Sequence, residues 1–130
     1  MSRPKLWVGA IVLTHLAITL VHGIAHQRLQ IELSAYESIF VMICVLALPL
    51  LALALIWTRG NRFGLALLAI AMFGSLAFGL FHHFLATGAD NVNSQPDSSL
   101  GAAFVWTAYA LAFTEALGAY FGAHFLFRKR

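Results

Sequence analysis

Residues 38–57 read SIFVMICVLALPLLALALIW and contain no charged side chain. An α-helix needs about 20 predominantly apolar residues to cross the hydrocarbon core of a bilayer. We therefore predict that this segment spans a membrane. Pro49 lies inside it and is expected to kink the helix, a distortion that membrane helices tolerate.

Three further segments are long and apolar enough to span, and together the four spans predict an all-α integral membrane four-helix bundle. The predicted spans are about 6–25, 38–57, 63–86 and 100–127. The connections are short, and the longest is a polar outer loop at 88–99, rich in the turn formers Gly, Asn, Asp, Ser and Pro. Residues 1–130 are predicted to form a single transmembrane domain.

The composition also indicates a membrane protein, because 61% of the residues are hydrophobic and 10% are charged. A soluble domain is nearer half apolar and a quarter charged. The lipid bilayer is therefore the expected partner. Nucleic acid is not expected, since the basic residues are scattered at helix ends and form no patch. The single cysteine, Cys44, excludes an internal disulfide and a cysteine-rich metal site.

Lysine and arginine set the predicted orientation, because cytoplasmic segments carry an excess of them. With the N-terminus in the cytoplasm, Arg28 is the one basic residue on the outer side. The cytoplasmic segments then contain Arg3, Lys5, Arg59, Arg62, Arg128, Lys129 and Arg130. We expect a multi-pass protein of the cell membrane with both termini cytoplasmic, and Asp90 falls on the outer side.

Residues 15–26, HLAITLVHGIAH, place three histidines in the first span. At about 100° per residue, His15, His22 and His26 share one narrow stripe with Thr19. Ionisable side chains are costly inside a bilayer and usually face the bundle interior. At 1.5 Å per residue, His15 lies near the middle of the membrane, His22 in the outer third and His26 at the outer edge.

The outer ends of the next two spans supply further candidate ligands. Glu37 is level with His26, and the His82/His83 pair is at a depth similar to that of His22. One helical turn separates His22 from His26, so both imidazoles can point at one ion. A site of imidazole and carboxylate ligands suits zinc, iron, copper or nickel. Only one of two neighbouring histidines is expected to face inward, because they differ by 100°. The predicted metal ligands are His22, His26, Glu37, His82 and His83.

Haem b is the alternative cofactor. His22 with His82 or His83, from opposing helices, could hold haem iron axially, and such a site would transfer electrons. Several aromatic side chains lie close enough in sequence and depth to pack a porphyrin. They are Phe78, Phe81, Phe84 and Phe104.

The fourth span carries Glu115 near the middle of the membrane, level with His15. A carboxylate at this depth is expensive unless it is protonated or paired. Glu115 and His15 are therefore predicted to form an ion pair, a neutral hydrogen-bonded pair or a proton relay, with Thr19 or Thr114 nearby. Gly118 and Gly122 of the same span form a GxxxG pattern, which is frequent by chance in glycine-rich spans.

The favoured function is a histidine-rich site in the outer half of the bundle that binds haem or a transition-metal ion for electron transfer. One alternative is a proton-coupled small-solute transporter centred on Glu115 and His15, which would need an oligomer to form a path. The other is a non-catalytic subunit of a larger membrane complex. The sequence does not predict whether the protein is an enzyme.

Overall fold

The computed structural model describes residues 3–58 and 61–128. Four long helices are present, α1 (Arg3–Arg28), α2 (Ala35–Trp57), α3 (Asn61–Leu85) and α4 (Ser99–Phe127). Each is long and apolar enough to cross a membrane, and the described residues contain no β-strand. The predicted all-α bundle with four spanning helices is thus confirmed. Arg59, Lys129 and Arg130, which enter the predicted orientation, lie outside the described residues.

The bundle separates into an apolar half and a polar half. α4 packs between α1 and α3, and α3 also packs on α2. An apolar core fills the half that contains the start of α1, where Val8, Ile56 and Met72 are completely or almost completely buried. The other half contains the buried polar side chains. They are His15, Thr19, His22, Ser75, His83, Asn91, Thr114 and Glu115.

A close helix contact joins α4 to α3 through two glycines. A Cβ atom at Gly122 would lie 2.9 Å from the backbone nitrogen of Ala69, and one at Gly118 would lie 2.7 Å from Cγ of Met72. Small residues allow membrane helices to approach closely enough for their backbones to pack. The GxxxG pattern is therefore a packing surface between α4 and α3.

α2 contains seven π-helical residues, Val41–Ala47, immediately before Leu48 and Pro49. The backbone N–H of Leu48 donates to the carbonyl of Ile43, five residues earlier. Proline cannot donate a backbone hydrogen bond, and its ring crowds the preceding turn. The distortion expected at Pro49 thus takes the form of a widened helical segment.

A second π turn, Phe81–Leu85, ends α3. It is closed by the N–H of Ala86, which donates to the carbonyl of Phe81 at 2.7 Å. Single π turns in membrane and soluble helices often occur at functional sites. This turn carries His82 and His83, and it places the His83 side chain in the buried polar half of the bundle while His82 is more exposed.

Candidate metal centre

Three imidazoles meet in the polar half of the bundle. His22 and His26 come from α1 and His83 from the π turn of α3, and one ring nitrogen of each lies within 4.8 Å of the other two. The ring centroids of His22 and His83 are 4.9 Å apart, as are those of His22 and His26. Phe104 of α4 is completely buried and packs against all three rings, at centroid distances from 4.6 to 5.5 Å. We call His22, His26 and His83 the histidine cluster.

Thr107 of α4 fixes the orientation of the His22 ring. The Thr107 hydroxyl donates to backbone oxygens of its own helix, at 2.7 and 3.0 Å. A hydroxyl has one hydrogen to donate, and here the backbone oxygens receive it. The Thr107 oxygen therefore accepts a hydrogen bond from Nδ1–H of His22, at 2.7 Å. Nε2 of His22 then carries a lone pair, and this buried atom has no hydrogen-bond partner among the described residues. Metal-binding histidines are oriented in this way by their second ring nitrogen.

Asp90 adds a carboxylate to the histidine cluster. Its Oδ1 atom lies 3.1 Å from Nε2 of His26 and 3.1 Å from Nδ1 of His83. Neither ring N–H is aligned on that oxygen, which is buried and receives no hydrogen bond within the described residues. Nδ1–H of His83 donates a 3.1 Å hydrogen bond to the backbone oxygen of Asp90, because a carbonyl oxygen can only accept. Nδ1 of His26 bonds to the carbonyl of Ile31, so its Nε2 carries a lone pair, and Nε2 and Oδ1 of Asp90 need a proton or a cation between them.

Charge makes Asp90 a suitable cation ligand. Burial raises the pKa of the Asp90 carboxyl group, but the close approach of His83 and His26 outweighs it and holds that pKa well below its usual range. Sequence reasoning placed Asp90 on the outer side but did not include it in the site.

The loop between α3 and α4 holds Asp90 in place through its own hydrogen bonds. The side chain of Asn91 donates to the carbonyl of Ala86 at 2.7 Å. The side chain of Gln95 donates to the carbonyls of Ala89 and Asn91, at 2.7 and 2.8 Å. Gly88 has a φ of 150°, a backbone conformation that favours glycine. The turn formers of the predicted outer loop thus build an ordered support for the carboxylate.

The geometry can accommodate one transition-metal ion after a small contraction. Zinc binds imidazole nitrogen and carboxylate oxygen at about 2.0–2.2 Å, so tetrahedral ligand atoms lie about 3.3 Å apart. The contact between Oδ1 of Asp90 and Nε2 of His26, at 3.1 Å, already matches this separation. The nitrogens of the histidine cluster lie within 4.8 Å of one another, so the side chains must rotate toward one another to reach it.

Two of the predicted ligands do not join the histidine cluster. Nδ1 of His82 lies 3.3 Å from Oε1 of Glu37 on α2, and the His82 ring packs on Phe78 with centroids 4.3 Å apart. The other carboxylate oxygen of Glu37 accepts a 2.6 Å hydrogen bond from the backbone N–H of Ser34, which completes a capping box at the start of α2. His82 and Glu37 therefore form a separate pair between α3 and α2, and Glu37 also caps α2.

His15 and Glu115, the pair predicted in the middle of the membrane, are in contact. Nε2 of His15 lies 3.2 Å from Oε1 of Glu115, and the two residues are 1% and 3% exposed. The hydroxyls of Thr19 and Thr114 donate to backbone oxygens one turn earlier in their own helices. Within the described residues, the pair is thus a two-residue contact between α1 and α4.

A cavity of about 540 Å³ joins the two groups of polar residues. Its wall includes the histidine cluster and Asp90 at one end and Glu115 farther along. Most of the remaining wall is apolar and comes from all four helices, including Val45, Leu46 and Leu111. A ligand in this cavity would contact both polar groups.

Comparisons of the chain with protein-family models, with curated proteins and with solved structures give no match. The chemistry of the centre is therefore inferred from its own residues. Four apolar helices and a histidine cluster with the geometry to hold a metal ion are the features from which a function follows.

Proposed function

We propose that this protein is a metalloprotein of the cell membrane that binds one transition-metal ion through the histidine cluster, with Asp90 as the fourth ligand. The observation that carries the proposal is Nε2 of His22, a buried nitrogen with a free lone pair that faces two more imidazoles. Burial of a polar atom without a partner costs free energy, and a bound cation removes that cost.

The ligand set narrows the class of ion. Three imidazoles and one carboxylate suit zinc, copper, iron or nickel, whereas magnesium and calcium prefer oxygen ligands alone. Cys44 lies in α2 and is not part of the cluster, so no thiolate contributes. The ligands come from α1, α3 and the following loop, and one ion would therefore tie these elements together.

Haem is less well supported than a bare ion. His22 and His83, the predicted axial pair, have ring centroids 4.9 Å apart in an edge-to-face contact, which leaves no gap for a porphyrin between them. His82, the other predicted axial ligand, faces Glu37 on α2. Haem would require these helices to separate, whereas a single ion requires only small ring rotations.

Electron transfer is the role we propose for the ion. Copper or iron in a buried site changes oxidation state at a potential set by its ligands and its surroundings. Glu115, which contacts His15, lines the same cavity as the histidine cluster, and the pair would take up or release a proton when the charge of the ion changes.

A proton-coupled transporter is the second candidate, and one observation favours it. Glu115 is almost completely buried, contacts His15 and lines a cavity large enough for a small solute. In this version the protein would act as an oligomer or as part of a larger membrane complex. Transport that persists in a Glu115→Gln variant would contradict it.

Metal content of the purified protein tests the first proposal. The detergent-solubilised protein is analysed for elements, and its optical spectrum is recorded oxidised and after dithionite reduction. We expect about one transition-metal ion per chain, no Soret band, and loss of the ion in His22→Ala. His82→Ala is the matched control, because His82 lies outside the cluster, and it should keep the ion. A metal-free wild type, or a Soret band that disappears in His22→Ala, would contradict the proposal.

A further inference from the structure

The cavity has a mouth between α1 and α2. α1 contacts α2 chiefly along Leu48–Trp57, so the two helices leave a gap near the histidine cluster. Leu20 and Ile24 of α1 and Met42 of α2 line the cavity, and they are 57%, 56% and 61% exposed. All three are apolar and belong to membrane-spanning helices. The mouth therefore opens toward the hydrocarbon of the bilayer rather than toward water.

The inner wall offers hydrogen-bond acceptors and few donors. Oε1 of Glu115 contacts His15, while Oε2 lies near Gly79 and no side chain of the described residues donates to it. The Ser75 hydroxyl is not a free donor, because it donates to backbone oxygens of α3 and α2 at 2.9 and 3.2 Å. A ligand that fits this wall donates hydrogen bonds.

Size, access and polarity together define a class of ligand. Small-molecule sites are commonly about 300–1,000 Å³, with apolar walls and a few placed polar groups, and this cavity of about 540 Å³ has that character. We propose that it binds a lipid-soluble quinol, which enters between α1 and α2 and donates a hydrogen bond from a ring hydroxyl to Glu115. A long apolar tail would extend through the mouth into the bilayer. The inference rests on the proposed function, since it names the substrate class of the metal centre.

Calorimetric titration of the protein in lipid nanodiscs tests this inference. The probe is a decyl-substituted benzoquinol, and the comparison ligand is its dimethyl ether, which cannot donate. We expect saturable binding of one quinol per chain and at least tenfold weaker binding of the ether. Glu115→Gln should reduce this preference for the quinol.

Two substitutions on α1 separate entry through the mouth from general partition into lipid. Gly23 lines the cavity, and a Cβ atom there would meet nothing within 4 Å. Gly23→Phe should therefore narrow the mouth without a clash and weaken quinol binding at least tenfold. Ala17→Phe is the matched control, because Ala17 is exposed on the same helix and does not line the cavity. Equal binding by both variants and the wild type would overturn the inference.

Metal analysis of the same samples distinguishes this inference from the proposed function. Gly23→Phe should keep its metal content, which also shows that the variant has folded. Metal-loaded protein without saturable quinol binding would overturn the quinol site alone. Quinol binding by a wild type that holds no metal, even after incubation with Zn²⁺ or Cu²⁺, would overturn the metal centre and the link drawn between the two.

Discussion

At the scale of single residues, the two nitrogens of His22 have different roles. Nδ1 donates to Thr107 at 2.7 Å, and this hydrogen bond fixes the ring so that the lone pair of Nε2 faces the cluster. Loss of such a supporting hydrogen bond typically lowers metal affinity 10–100-fold. Thr107 is thus a positioning residue, although it does not contact the ion.

Thr107→Val should lower the affinity for Zn²⁺ or Cu²⁺ about 10–100-fold while the fold is retained. Competition with a chromophoric chelator measures this affinity. Thr114→Val is the matched control on the same helix, because the Thr114 hydroxyl bonds only to backbone oxygens of α4. Equal affinity in Thr107→Val and the wild type would contradict the assigned tautomer of His22.

The buried contact between His15 and Glu115 makes a prediction about stability. Removal of one partner from a buried pair typically costs about 3–5 kcal/mol, whereas replacement of both by apolar residues is often nearly neutral. His15→Leu should therefore lower the free energy of unfolding, and His15→Leu combined with Glu115→Met should recover most of the loss. Unfolding in mixed detergent micelles measures both. If the double variant is no more stable than the single, the two side chains are not energetically coupled.

Helical phase could predict part of this site but not all of it. The 100° rule aligned His22 with His26 because both lie on one regular helix. It could not choose between His82 and His83, because they lie in a π turn whose phase differs from that of an α-helix. Asp90 lies in a loop without periodicity, and its position depends on hydrogen bonds within that loop. The one sequence signal for Asp90 was that it is an acidic residue predicted on the same side of the membrane as several histidines.

At the scale of helices, the contact between α4 and α3 depends on Gly122 more than on Gly118. A Cβ atom at Gly122 would press on the Ala69 backbone, whereas one at Gly118 would meet the flexible side chain of Met72. Overpacking against a backbone that cannot move costs about 1–3 kcal/mol, and methionine adapts readily.

Gly122→Ala should therefore destabilise the protein by up to about 2 kcal/mol, the packing cost of about 1–3 kcal/mol less the helix gain of about 1 kcal/mol, and Gly118→Ala by clearly less. The free energy of unfolding in detergent micelles again provides the comparison. Alanine favours a helix over glycine by about 1 kcal/mol, so any loss in Gly122→Ala reflects helix packing. A Gly122→Ala variant at least as stable as Gly118→Ala would contradict the close α3–α4 contact, because both variants gain the same helix propensity.

The helices themselves were largely predictable, because apolar length alone defines a span. The third predicted span, 63–86, corresponds to Asn61–Leu85, and the second, 38–57, gains a first turn from Ala35. The capping box formed by Ser34 and Glu37 explains that extension. The π segments were not predicted, since they depend on local packing as well as on sequence.

At the scale of the whole molecule, the apolar core and the polar cavity occupy opposite halves of the bundle. Side-chain packing holds together the half near the start of α1, whereas the other half leaves space between α1 and α2. In lipid, helix association depends on packing and polar contacts rather than on the hydrophobic effect. A bound ion would link the helices in the half of the bundle that side-chain packing does not hold together.

The predicted orientation can be tested by cysteine labelling in a Cys44→Ser background. With cytoplasmic termini, a Ser94→Cys variant should react with a membrane-impermeant maleimide in intact cells, since Ser94 is exposed in the α3–α4 loop. An Arg62→Cys variant, exposed at the start of α3, should react only after permeabilisation. The reverse pattern would place the metal centre on the cytoplasmic side.

X-ray absorption spectroscopy of the protein loaded with one equivalent of Zn²⁺ tests the central claim most directly. We predict four nitrogen or oxygen ligands at about 2.0–2.2 Å and the scattering signature of three imidazoles, with one fewer in His83→Ala. A shell with one imidazole or none, or a sulfur ligand near 2.3 Å, would contradict the proposed centre of His22, His26, His83 and Asp90.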